Sequence, residues 1–138
     1  MATPRGLRNN NPLNIEKTKG GNPWQGEIVP SKDSRFAQFT SMAYGYRAAF
    51  KLLNNYQRNY GLDTIRKMIS RWAPSNENHT EAYVKAVSDR SGVPADGRIT
   101  TTNHDVMVPI VAAMSFVENG VEANIADVEA GWKLFIEA

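Results

Sequence analysis

The sequence predicts a predominantly helical α+β chain, a small N-terminal β-hairpin lobe followed by about five helices, in one domain spanning residues 1–138. Three observations lead there. The 138 residues, 41% hydrophobic and 22% charged, suffice to bury one sizeable core. Residues 5–40 are broken by Asn9-Asn10-Asn11-Pro12, Gly20-Gly21-Asn22-Pro23, Gly26 and Pro30, the chemistry of turns. From Ser41 onward the apolar residues take up helical spacing.

Between the N-terminal turns lie the short runs Leu13–Ile15, Glu27–Val29 and Arg35–Phe39, which read as a two- or three-stranded hairpin. Residues 42–60 then run unbroken to Gly61. Tyr46, Phe50 and Leu53 share a face, and Arg47, Lys51 and Arg58 are left for water. Asp63 is placed to cap a second helix, in which Ile65, Met68, Ile69 and Trp72 fall at i, i+3, i+4 and i+7. Asn78 with Glu81 forms a weakened capping box for a third helix of about 79–90. It carries Tyr83, Val84 and Val87 on one face and ends at Gly92 and Pro94. The fourth helix is the apolar stretch Val106–Val117, with Pro109 in its first turn or kinking it. Apolar on nearly every face, it is expected to run through the centre of the others. A last helix of about 125–136 sets Ile125, Val128, Trp132 and Phe135 to one side.

The absence of Cys removes disulfides and thiolate metal sites, and the two distant His, at 79 and 104, make a zinc centre improbable. No metal and no cofactor is expected. No run approaches the roughly 18 apolar residues of a membrane span, and the opening residues contain no apolar signal region. The expected location is therefore the host cytoplasm, with release by another route, or the virion. The net charge of +2 hides a division. Residues 1–71 hold 12 Lys/Arg against 4 Asp/Glu, and residues 72–138 hold 4 against 10. Either a basic face meets an anionic partner, or the halves neutralise one another where they pack.

Glu118 stands where the apolar helix meets the stop pair Asn119-Gly120. Burial and the negative end of the helix dipole both disfavour negative charge on an acid so placed. That environment makes a general acid for glycosidic-bond cleavage. A solvated helix-end Glu without a role is the competing reading.

The opening Arg5-Gly-Leu-Arg-Asn-Asn-Asn-Pro-Leu-Asn-Ile15 resembles the entry motif of small phage and prophage proteins of the lysozyme-like, lytic-transglycosylase type. Trp24-Gln-Gly26, Arg35–Phe39, Tyr44–Ala48, Thr64-Ile-Arg66 and Arg71–Tyr83 agree in order and spacing, so the likeness covers roughly residues 5–93. A related likeness is to the cell-wall glucosaminidases. In those enzymes and the soluble transglycosylases the acid precedes the Asn-rich turn, whereas here the matching helix ends at Glu118. The chain thus reads as a circular permutation that returns Glu118 to the Asn-Pro-Leu-Asn turn in space. Phe39 stands where the glucosaminidases carry Tyr, which argues against phenol assistance at that position.

The resemblance implies a lysozyme-like fold, a monomer, and a substrate in the β-1,4-linked glycan strands of peptidoglycan. It makes Glu118 the acid, with Glu77 as runner-up and Glu16 a third candidate. The bland role of Glu77 is support of a helix N-terminus, worth about 0.5 kcal/mol. With no second carboxylate evident, the transglycosylase route fits, in which the sugar's own 6-hydroxyl attacks and one Glu serves as both acid and base. Asn11 and Asn14 are the candidates to bind N-acetyl groups, or else they shape the turn. Trp24, Tyr44 and Tyr83 are the candidates to stack on sugars, or else they belong to the core. Two other classes compete: a non-catalytic virion or wall-binding protein, and a nucleic-acid binder. No nucleic-acid motif is visible, so nucleic acid is not expected as a partner.

Overall fold

A computed structural model describes residues 3–74 and 77–137, without the side chains of Glu77 and Asn78. Its elements are α1 (Arg5–Arg8), β1 (Glu27–Ile28), β2 (Gln38–Phe39), α2 (Met42–Tyr60), α3 (Ile65–Trp72), α4 (Glu77–Ser91), α5 (His104–Asn119) and α6 (Ile125–Glu137). The architecture is mostly helical with one small antiparallel hairpin, an α+β arrangement.

The N-terminal lobe is built less by strands than by side chains that take over backbone bonding. β1 and β2 pair antiparallel with Glu27 opposite Phe39 and Ile28 opposite Gln38, and an isolated bridge joins Glu16 to Phe36. Leu13, Ile15, Ala37 and Phe39 alternate along their runs and are buried against the helices. The carboxylate of Asp33 gathers Arg5 Nε and Nη2, Asn9 Nδ2 and the backbone amides of Arg35 and Phe36. Glu27 does similar work for the preceding loop, accepting from both the amide and hydroxyl of Thr18 and from the amide of Trp24. The one-turn α1 was not evident from periodicity, because four residues are too few to show any.

α2 spans the predicted residues and buries Tyr46, Phe50 and Leu53. Ser41 caps its start, and Gly61, left-handed at φ 67°, ends it. Arg47 departs from expectation: it is covered, and its Nε has no hydrogen-bond partner among the described residues.

α3 also falls as predicted, but its cap is Thr64, whose hydroxyl accepts from the Lys67 amide at 3.1 Å. Asp63 stands one residue too early, and its carboxylate is taken by Lys67 Nζ and Arg98 Nε, each at 3.0 Å. α4 begins at Glu77, which puts the backbone of Asn78 within the helix; the Asn78 side chain, the expected cap, lies outside the described residues. Glu81, the other half of the expected capping box, pairs instead with Arg66.

α5 starts two residues before Val106, capped by Asn103, and ends on left-handed Gly120 at φ 72°. Pro109 lies beyond the first turn, inside the helix, where it removes one backbone donor. α5 touches α1, α2, α4 and α6, with Met107, Ile110, Val111 and Met114 buried among them. The most extensive helix contact, however, is between α2 and α6. Gly131 permits it: a Cβ there would stand 2.4 Å from Cβ of Tyr46 and 2.9 Å from the Ala43 carbonyl. Phe50, Trp132 and Phe135 pack ring against ring across that seam. Val128, Trp132 and Phe135 are buried as predicted, whereas Ile125, in the first turn of α6, is 54% exposed.

Among the described residues no helix is long and apolar enough to cross a membrane.

Candidate functional site

The last turn of α5 carries Glu118 to the join between the N-terminal lobe and the helices. Its backbone is fixed by the apolar helix before it and by the Gly120 amide, which closes on the Phe116 carbonyl at 2.7 Å. The side chain is half-buried. Asn14 Nδ2 donates to Oε1 at 3.0 Å, and the Tyr83 hydroxyl donates to Oε2 at 3.0 Å. The carboxyl is thus held from two sides, by the Asn-rich turn and by α4.

Asn14 reaches it from a strained position. Its φ is 55°, in the left-handed region that Asn tolerates better than most residues. Asn11, three residues earlier, plays another part. It is fully buried; its Nδ2 donates to the carbonyls of Ile15 and Ala37 and its Oδ1 accepts from the Ile15 amide, all at 2.9 Å. Both donors and the oxygen of that amide tie the turn to itself and to the hairpin, and none of it is exposed, so Asn11 belongs to the scaffold and not to a sugar-binding surface.

Tyr83 is buried, 8% exposed, and its ring has no face free for stacking. Burial, and after it the Glu118 charge, push the phenol well above its ordinary value, so the hydroxyl keeps its proton and donates. Tyr83 therefore positions Glu118 and is no sugar platform.

A cleft of about 400 Å³ opens beside Glu118. Asn14 and Leu13 line it on the side of the turn, Trp72 and Pro74 on the side of α3, and Phe36 with Arg35 on the side of the hairpin. Glu16 is also at this rim, its Oε1 accepting from Arg35 Nε at 2.7 Å in an exposed pair. Trp72, Phe36 and Arg35 were not singled out as site residues in the sequence. Their only signal is an aromatic or a cation inside the motif segments, and the spacing of Trp72 puts it on the core face of its helix. Trp24 and Tyr44 do not line the cleft. Tyr44 lies on Gly26, where a Cβ would stand 2.4 Å from its Cγ, and both aromatics pack against the core. Glu77 opens α4 with its backbone, and its side chain is outside the described residues.

A larger hollow of about 560 Å³ lies between Gln57, Asp63 and Arg98. Its polar groups are spent on one another: Gln57 bonds the Ile99 carbonyl and Thr101, and Asp63 bonds Lys67 and Arg98. The Glu118 cleft is the better candidate, since there a carboxyl faces the opening. Among the described residues no three His, Asp or Glu side chains gather as a metal site.

Ion pairs join the two halves of the charge division at two places among the described residues, through Arg66 and through Arg98 with Asp63. Of the basic residues in the first half, Arg5, Arg35 and Lys67 pair with acids of that half, and among the described residues only Arg66 reaches acids of the second, Glu81 and Asp96.

No protein-family model matches the chain. Protein P5 of Pseudoalteromonas phage PM2 is 41% identical to it over 117 residues, which cover 84% of this chain and 71% of that protein. Identity at that level over most of both chains places them in one family of phage-encoded proteins. The chain belongs to the family of Protein P5 of phage PM2.

Proposed function

We propose that this protein degrades peptidoglycan, cleaving the β-1,4 bond between N-acetylmuramic acid and N-acetylglucosamine with Glu118 as general acid. One observation carries the reading. A carboxyl at the end of an apolar helix is gripped by Asn14 and Tyr83 and borders a cleft walled by Trp72 and Phe36. Two of the four lone-pair positions of the carboxyl are occupied by those donors, which leaves two for a substrate proton. Glu118 gives its proton to the glycosidic oxygen as the C1–O bond breaks. The carboxylate then takes the proton of the muramyl 6-hydroxyl while that oxygen bonds to C1, closing an anhydro ring and restoring the acid. A phage relative fits a wall-degrading role in entry or release, and the juxtaposition of Glu118 with the Asn-rich turn fits a permuted lysozyme-like arrangement.

A second reading has its own support. Both oxygens of Glu118 already accept hydrogen bonds, as a purely structural carboxylate would. It makes the protein a non-catalytic virion or wall-binding component.

Mass spectrometry of fragments released from purified peptidoglycan separates the two. Anhydro ends identify the transglycosylase route and reducing ends a hydrolase. Binding without release leaves only the structural role. In the catalytic case Glu118→Gln folds and loses several orders of magnitude of activity, and Glu77→Gln loses far less; the reverse ranking moves the acid to Glu77.

A further inference from the structure

The turn bearing Asn14 and the end of α5 converge on Gly6, more closely than any side chain would allow. A Cβ on Gly6 would stand 2.5 Å from Oδ1 of Asn119, 2.8 Å from the Asn11 carbonyl and 3.1 Å from Oδ1 of Asn14. Gly6 is buried in α1 and is not among the glycines of positive φ, so close approach, not backbone conformation, is what requires glycine here. The two amide oxygens that crowd it are buried and have no hydrogen-bond partner among the described residues. Their orientation is fixed from the other end. Asn119 Nδ2 donates to the carbonyls of Pro12 and Ser115, each at 2.9 Å, and Asn14 Nδ2 donates to Glu118. Turning either amide to satisfy its oxygen would surrender those bonds.

We infer that Gly6 is a positioning residue for Glu118: its bare Cα lets Asn119 and Asn14 close on α1, which brings the Asn14 amide onto the carboxyl. Asn119 is the second part of the device, since it binds the turn to α5 through Pro12 and occupies the space a Gly6 side chain would need. The inference rests on Glu118 as the acting group only for its effect on turnover. The geometric claim stands apart from it.

The test therefore has two arms in the full chain. The first reads the NMR signal of the Asn14 side-chain amide, identified by its disappearance in Asn14→Gly. Glu118→Gln should displace that signal in the native background and leave it unmoved in the Gly6→Ala background. Asn119→Ala, which adds no atom and serves if Gly6→Ala does not fold, should likewise uncouple the two groups. A displacement as large as the native one in either folded variant overturns the inference, whatever the protein does to peptidoglycan.

The second arm is kinetic. Misplacement by about 1 Å costs up to about 10²-fold in rate, so kcat should fall by ten- to a hundredfold in Gly6→Ala with KM held within about twofold. A merely structural role would reduce the amount of folded protein and leave kcat per folded molecule unchanged, and that result overturns the claim on catalysis. If the native protein releases no fragments, the proposed function fails while the first arm still decides the geometry.

Discussion

Asn14 donates its side-chain amide to Glu118 Oε1 at 3.0 Å across a sequence separation of 104 residues. The bond joins the left-handed corner of the Asn-rich turn to the last turn of α5 and sets the carboxyl at the mouth of the cleft.

Removing that amide should damage turnover more than folding. Asn14→Gly keeps the φ of 55° accessible. Its stability, measured by urea unfolding, should change by no more than about 1 kcal/mol, while turnover drops on the order of 10²-fold. Asn14→Ala should be the less stable variant, by roughly 1 kcal/mol for the left-handed backbone. Equal activity of Asn14→Gly and the native protein would remove Asn14 from the site.

Tyr83→Phe takes away the other donor and leaves the ring in place between α4 and α5. Loss of the 3.0 Å bond to Glu118 Oε2 should cost about 1 kcal/mol of stability. Turnover should fall without a change in KM, because Tyr83 is buried and holds the acid without facing substrate. A rise in KM alone would instead put Tyr83 on the sugar.

The acid limb of stability should carry the signature of Asp33. Its bond to Arg5, then the amides of Phe36 and Arg35 and the side chain of Asn9, hold its carboxyl far below the usual carboxylate range. A depressed folded-state value means that the stabilisation is complete above the unfolded value of about 3.9 and drains away as pH falls toward the folded one. The gap in urea midpoint between the native protein and Asp33→Ala should be widest at neutral pH and narrow progressively below about pH 4. A gap independent of pH would show that the carboxylate charge contributes nothing.

Binding to intact peptidoglycan should weaken with salt, because residues 1–71 carry 12 Lys/Arg against 4 Asp/Glu. Raising ionic strength from about 0.1 M to about 1 M shortens the screening length from about 10 Å to about 3 Å. Co-sedimentation should fall over that range, and Lys19→Glu with Lys32→Glu, both exposed, should flatten the dependence. Binding unaffected by salt would leave the charge division without a role in wall attachment.

Periodicity alone located α2 and α3, because the spacing of Tyr46, Phe50 and Leu53, and of Ile65, Met68 and Ile69, reports a buried face within four residues along the chain. It also put an acid at the end of an apolar helix. The exact cap was missed, with Thr64 in place of Asp63, since two neighbouring oxygens can each serve and a shift of one residue in where the helix starts chooses between them. The division of labour between Asn11 and Asn14 was likewise beyond periodicity. Both are amides in one turn; Asn11 bonds Ile15 and Ala37 within the N-terminal lobe, and the packing of that lobe on the end of α5 puts Asn14 on Glu118. Local propensity is set by neighbours along the chain. The site is set by which helices pack together, and at that distance a hydrogen bond depends on the position of every element between its partners.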